Sequence, residues 1–296
     1  MYREQYPFSL NKLYQSVGIS KQAVSTMINR LLKKKDEQMQ LVRCIYDIRQ
    51  DHPTMGVRDI YYKMLPNCMG RDAFERFCKE QNLMSKSPKN YRRTTDSSGV
   101  IRFDNLIENI VSTAINQVWQ SDISYFEVGG KFYYLTFILD AFSRRIIGHA
   151  TSERLFTEQT TLPALDMAIR NRKINNPLRG LIFHSDGGGQ YYDKEFLKVT
   201  QKHGIQNSMC EFAWENGKAE RINGIIKNNY LKHRNINSYE QLVKEVDRSV
   251  SLYNHDKPHI KLKRLSPIAF ENKILHLSSS FKESRSINKY NYAEHS

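Results

Sequence analysis

Residues 180–231 read GLIFHSDGGGQYYDKEFLKVTQKHGIQNSMCEFAWENGKAERINGIIKNNYL, and the fold turns on this stretch. Leu181 to Phe183 is a short apolar run of the kind that forms a buried strand. It carries the chain to Asp186, where Gly187, Gly188 and Gly189 let the backbone turn sharply. Lys194 to His203 reads as a helix ending at Gly204, a suitable C-cap, and Ile205 to Ser208 as a further short strand. Residues 215–233 then form a basic amphipathic helix, with Ile222, Ile225, Ile226 and Tyr230 spaced to pack on a sheet. Glu220, Asn223 and Lys227 share another side of it, because residues three and four apart are neighbours. An acid at a strand end is thus followed, 34 residues later, by an acid on a helix with a cation two turns beyond.

Upstream, QVWQSDISYFEV (117–128) is strand-like, Gly129-Gly130 is a hairpin turn, and KFYYLTFILDAF and RRIIGHAT supply a second and third strand. A helix with Leu162, Leu165, Met167 and Ala168 leads to the Asp186 strand. The order predicts an α/β fold, a mixed sheet flanked by helices. Asp122, on the first strand, adds a third carboxylate, and three acids on separate elements suit a hard divalent cation held by oxygen ligands. Asp140 also ends a strand, but the Phe142-Ser143-Arg144 that follows suits a structural aspartate paired with Ser or Arg. His184 lies two residues before Asp186 and shares its face, as a core histidine or one that orients the site from behind. Trp119 reads as core, whereas Trp214 stands in a loop where it could stack on an unpaired base.

Toward the N-terminus, Ser9 caps a short helix with Leu10, Leu13 and Tyr14, and Gly18 turns the chain. Ser20 then caps a second helix carrying Val24, Met27, Ile28, Leu31 and Leu32. This is either a helix-turn-helix that presents Lys21, Gln22, Ser25 and Arg30 to DNA, or an ordinary helical hairpin. A separate helix is expected from Asp36 to Gln50, a break at His52-Pro53-Thr54-Met55-Gly56, and two more helices over VRDIYYKML and RDAFERFCKEQNL. Arg71 and Arg76 on the last are either phosphate contacts or part of a solvated face. The predicted organisation is a helix-turn-helix region over 1–83, a basic linker over 84–105 and a catalytic core over 106–235. A C-terminal helix with a basic extension (236–272) and a frayed tail (273–296) complete it. In the linker, Lys86, Lys89, Tyr91, Arg92 and Arg93 either track a phosphate backbone or form a solvated tether.

The net charge of +14 divides unevenly, +8 over 1–105, +1 over 106–210 and +5 over 211–296. A nearly neutral middle between basic flanks favours a polyanionic partner over a basic surface kept for solubility. Cys44, Cys68, Cys78 and Cys210 form no CxxC pair, which argues against zinc and disulfide roles. No apolar run resembles a signal peptide or a membrane span, so a cytoplasmic, nucleoid-associated protein with no membrane partner is expected.

Taken together, HPTMGVRDIYYKM, NQVWQSDISYF, LDAFSRRIIGHAT, FHSDGGGQYY, the Gly204–Met209 run, ENGKAERINGIIK and YNHDKPHIKLKRLSPIAF resemble the retroviral-integrase-like DDE transposases. The resemblance is to the second-frame product of the insertion-sequence-three family, and it spans roughly residues 10–272 in register. It implies an RNase-H-like core behind helix-turn-helix units, with Asp122, Asp186 and Glu220 as the acidic triad and Mg²⁺, or Mn²⁺ in its place, as cofactor. It further implies cleavage and strand transfer at insertion-sequence ends by a homo-oligomer on DNA, with an upstream-frame product as partner or fusion. Lys227 is the leading DNA contact, with Lys218, Arg221 and Asn223 behind it. Thirty-three residues separate the second and third acids, two fewer than the family's usual spacing, and Glu215-Asn216-Gly217 replaces its Asp-Asn-Ala. Two other readings fit: a DNA-binding regulator with a dormant core, and a structure-specific nuclease. Tyr253, Asn254 and His259 match the family's C-terminal motif with no role beyond packing and backbone contact.

Overall fold

The computed structural model describes residues 9–85, 103–108, 110–172, 178, 180–276 and 285–286. Strands β1 (Val118–Val128), β2 (Lys131–Asp140) and β3 (Ile146–Ser152) form an antiparallel meander. Gly129 and Gly130, both with positive φ, make the tight turn between the first two. Strand β4 (Ile182–Ser185) joins β1 in parallel, and β5 (Gln206–Met209) joins β4, giving the order β3-β2-β1-β4-β5. This is the mixed, RNase-H-like sheet the sequence predicts.

Helices cover both faces. On one, Leu135, Phe137 and Leu139 pack against Ile222 of α7 (Gly217–Ile225), Ile226 and Tyr230 of the turn that continues it, and Leu242, Val246 and Val250 of α8 (Tyr239–His255). On the other, Trp119, Ile138 and Phe183 meet α5 (Thr161–Asn171) and α6 (Lys194–Lys202). Because β4 lies between two paired neighbours and under both layers, all four of its residues are buried. Gly148 allows β3 to touch α5, since a Cβ there would sit 2.1 Å from the carbonyl oxygen of Ala164.

The N-terminal region contains α1 (Leu10–Val17), α2 (Lys21–Asp51), α3 (Val57–Met64) and α4 (Arg71–Glu80). Ser9 and Ser20 cap the first two helices as expected, and Gly18 takes the left-handed conformation between them. Two expectations are corrected. The helix beginning at Lys21 does not stop near Lys33 but runs on as one 31-residue rod, because Lys33-Lys34-Lys35-Asp36 contains no glycine or proline to break it. Its apolar stripe is also left uncovered: Met27, Ile28, Leu31 and Leu32 are exposed, as are Leu10, Leu13 and Val17 on α1. The packed N-terminal core lies further along, where Leu41 and Ile45 meet Val57, Ile60, Phe74 and Phe77. The basic linker residues Lys86, Lys89, Tyr91, Arg92 and Arg93 fall outside the described residues.

At the C-terminal end, α8 (Tyr239–His255) is followed by a short 3₁₀ turn, Ile260–Leu262, and by α9 (Pro267–His276). The expected basic extension thus turns helical from Pro267, the first-turn position proline favours, with the Ser266 hydroxyl accepting from the Ala269 amide. Helix α9 crosses the expected start of the tail at 273, and Arg285–Ser286 pair with Val111–Ser112. The rest of that tail lies outside the described residues.

Candidate active site

Asp122 sits in the middle of β1 on the face covered by α7 (Gly217–Ile225), opposite Phe137 of β2. Asp186 follows directly after β4, the parallel neighbour of β1, so both acids leave the same region of the sheet. Glu220 lies in the first turn of α7 and is exposed. Asp122 senses the charges of the other two. Burial, then the Asp186 charge, and more weakly that of Glu220, push the Asp122 carboxyl up to about 7, against the pull of Asn223. Burial likewise raises Asp186, although the Gly188 amide donates to its Oδ1 at 3.1 Å. Gly187 turns the chain here with a positive φ, and a Cβ on it would strike the Met209 side chain.

Helix α7 is fixed to the sheet by polar contacts. The Asn216 amide donates to the Ser121 carbonyl at 2.8 Å and anchors the start of the helix beside Asp122. Asn223 Nδ2 donates to Asp122 Oδ2 at 2.7 Å, while its Oδ1 accepts from the Ser124 hydroxyl at 3.0 Å. Ahead of the helix, Glu215 accepts from the Glu211 and Phe212 amides and braces the intervening loop. Beyond Ile225 the helix widens into a π-helical turn, Ile226–Tyr230, a geometry that often accompanies functional positions. Lys227 lies in that turn, with Nζ 3.4 Å from the Tyr125 carbonyl and 5.5 Å from the Tyr125 ring centre. Burial lowers its pKa, and the Asp122 charge partly restores it.

Among the described residues, no group of three or more His, Cys, Asp or Glu side chains is drawn together tightly enough to form a closed metal cage. The donor set itself fits a hard divalent cation: three carboxylates, two raised in pKa by burial, the mutual repulsion being relieved by a positive charge between them.

Two family models, both described as integrase core domain, match residues 112–213 and 203–267. The Insertion element IS600 uncharacterized 31 kDa protein of Shigella sonnei is 31% identical over 248 residues, covering 81% of this chain and 89% of its own length. The chain belongs to the IS3 family of DDE transposases. Transposase InsF for insertion sequence IS3A, from Escherichia coli strain K12, is 31% identical over 193 residues, 64% of each chain. Among solved structures, the HTLV-2 integrase catalytic core domain in complex with magnesium aligns with 53% of this chain and 96% of that one, at 20% identity and a TM-score of 0.41. Membership makes the chain a polynucleotidyl transferase that acts on DNA.

Several sequence-predicted residues have different surroundings in the transposase from those expected. Asn223 is buried with both amide atoms engaged, so it orients Asp122 and is not available to DNA. Lys218 donates to the Ala141 carbonyl at 3.2 Å. Arg221 is exposed, and its charge reaches Tyr253 and His259. His184 is fully buried, its Nδ1 2.9 Å from the Ser208 hydroxyl, and desolvation lowers its pKa to about 4. Its bonded neighbour is thus β5, not Asp186. Lys21, Gln22, Ser25 and Arg30 are all exposed on the first turns of α2. Arg71 pairs with Asp72 at 2.8 Å.

Asp140 is fully buried and accepts from the Asn116, Phe142 and Ser143 amides and from Arg172, which also grips Glu271. The sequence offered no signal for Asn216 or Ser124, whose roles depend on which strand the helix crosses. Nor did it reveal that the Asn254 amide pairs with both the N–H and the carbonyl of Ile146, sealing the start of β3.

Proposed function

We propose that the chain cleaves DNA strands at the ends of its insertion sequence and joins the resulting 3′-hydroxyl to target DNA, using Asp122, Asp186 and Glu220. The observation that carries this reading is the placement of Asp122 on, and Asp186 directly after, neighbouring parallel strands, with the helix of Glu220 tied to Asp122 through Asn223. These carboxylates would hold divalent ions, Mg²⁺ with Mn²⁺ as substitute, because the ligands are all oxygen. When bound, such ions activate an attacking oxygen and stabilise the leaving one. Asn223 keeps Asp122 oriented, and Asn216 sets the start of the helix that carries Glu220. Lys227, flanked by Tyr125, offers a positive charge within electrostatic reach of Asp122 and would hold a backbone phosphate beside the acids. The exposed Lys21, Gln22, Ser25 and Arg30 would contact DNA away from this centre.

A homo-oligomer assembled on DNA is part of the proposal. It is supported by the apolar residues of α1 and early α2, which no described part of the chain covers. The test is a duplex with a pre-cut end bearing a free 3′-hydroxyl, incubated with the chain, Mg²⁺ and plasmid. Joined products support the transposase reading, whereas hydrolysis without joining replaces it with a nuclease.

A further inference from the structure

The His52-Pro53-Thr54-Met55-Gly56 break closes the long helix α2, and His52 is almost entirely buried, at 3% exposure. Its ring bridges two distant parts of the chain. Nε2 lies 2.6 Å from Asp256 Oδ2, at the end of α8, and Nδ1 lies 3.0 Å from the Tyr230 hydroxyl, in the π turn that continues α7. A carboxylate cannot donate, so Nε2 carries the proton and Nδ1 accepts from Tyr230. Burial lowers the His52 pKa, in keeping with this neutral form. Lys63 of α3 also pairs with Asp256. Around this bridge, Arg248 reaches Asp51 at 2.8 Å, Arg234 reaches the Asp51 carbonyl at 3.1 Å, and Arg264 pairs with Asp59 while lying 3.7 Å over the Tyr62 ring.

Helix α2 therefore has one clamped end and one projecting end. Lys21 to Lys35 are exposed, apart from a half-buried Val24. At 1.5 Å per residue the rod is about 45 Å long, and Tyr230 stands about 15 Å along its helix from Glu220. Tilting such a rod by about 10° at its clamp moves the far tip by about 8 Å, more than two base-pair steps of duplex.

We propose that His52 is a positioning residue that fixes the distance between the DNA contacts of α2 and the carboxylate centre, and so determines which phosphodiester is cut. The inference rests on the reading of Lys21, Gln22, Ser25 and Arg30 as DNA contacts. Tyr230→Phe removes the hydroxyl, and with it one hydrogen bond of the bridge, and leaves the ring in place. His52→Gln replaces the imidazole with a group that cannot span both partners.

The test uses the full chain and a labelled duplex of the terminal DNA of its own element, with cleavage mapped at single-nucleotide resolution. Thermal melting and nicking of unrelated plasmid in Mn²⁺ are measured alongside. Both variants are expected to keep plasmid nicking within about twofold, yet to spread end cleavage over several nucleotides, with at least a tenfold loss at the wild-type position. Wild-type cleavage position in either folded variant overturns the inference, as does a uniform loss at all positions and on plasmid, which marks the bridge as merely structural. If Lys21→Ala with Arg30→Ala leaves wild-type end binding unchanged, the reading beneath the inference fails instead.

Discussion

Asn223 holds Asp122 across 2.7 Å, joining the helix of one candidate ligand to the strand of another. Since the Asn223 carbonyl is fixed in turn by Ser124, the carboxylate has one preferred orientation. Replacing Asn223 with Ala is expected to leave the fold intact and to weaken metal-dependent cleavage by about 10–100-fold, the usual cost of losing a partner that orients a ligand. Titrating Mg²⁺ in a nicking assay checks this: the midpoint should move to higher concentration.

Asp122 makes the chain's stability depend on pH in an unusual direction. Its folded pKa, about 7, lies above the ordinary carboxylate value, so between pH 4 and 7 the folded state keeps a proton that the unfolded state has released. Its contribution to stability is therefore lost as pH rises through that window. In metal-free buffer, Asp122→Asn should raise the melting temperature at pH 8 and have little effect at pH 4. Added Mg²⁺ should stabilise the wild type and leave the variant unmoved.

Arg172 neutralises two buried carboxylates, those of Asp140 and Glu271. Arg172→Met would strand Asp140, while Glu271 keeps Arg145 and the Ser143 hydroxyl, and should cost about 3–5 kcal/mol, read as a drop in urea midpoint. Asp140 variants should likewise fail through folding, with activity per folded molecule preserved.

Gly148→Ala tests the contact of β3 with α5. The added methyl meets backbone, not a flexible side chain, and should destabilise by about 1–3 kcal/mol. Thermal melting measures it.

Much of this architecture was legible because it depends on local pattern. The apolar run before Asp186, the paired glycines at 129–130 and the stripe of Ile222, Ile226 and Tyr230 each state their own element. The unbroken α2 was missed because the change from apolar stripe to Lys33-Lys34-Lys35 looked like an end, although helix propensity continues through it. Helix α9 was hidden behind a basic, proline-containing run whose capping serine was not given its role. At the site, Asp186 stands out by its place after an apolar strand and Glu220 by its place on a helix, whereas Asp122 lies mid-strand and is marked only by the strand around it. The bonds of Asn223 to Asp122 and Ser124 are not legible in the sequence, because polarity on a helix face does not say which strand lies beneath it. His52 drew notice only as a break, since its partners lie 178 and 204 residues away.

The central claim is that Asp122, Asp186 and Glu220 act as one metal-binding unit. The most direct measurement compares Asp122→Asn, Asp186→Asn and Glu220→Gln with the wild type in Mg²⁺-dependent strand transfer of a pre-cut end, with DNA binding measured in parallel. Each substitution is predicted to abolish joining while end binding stays within about twofold, because a unit that clamps the reacting oxygens fails when any member is lost. Joining at near wild-type rates by any one of the three variants would contradict the account.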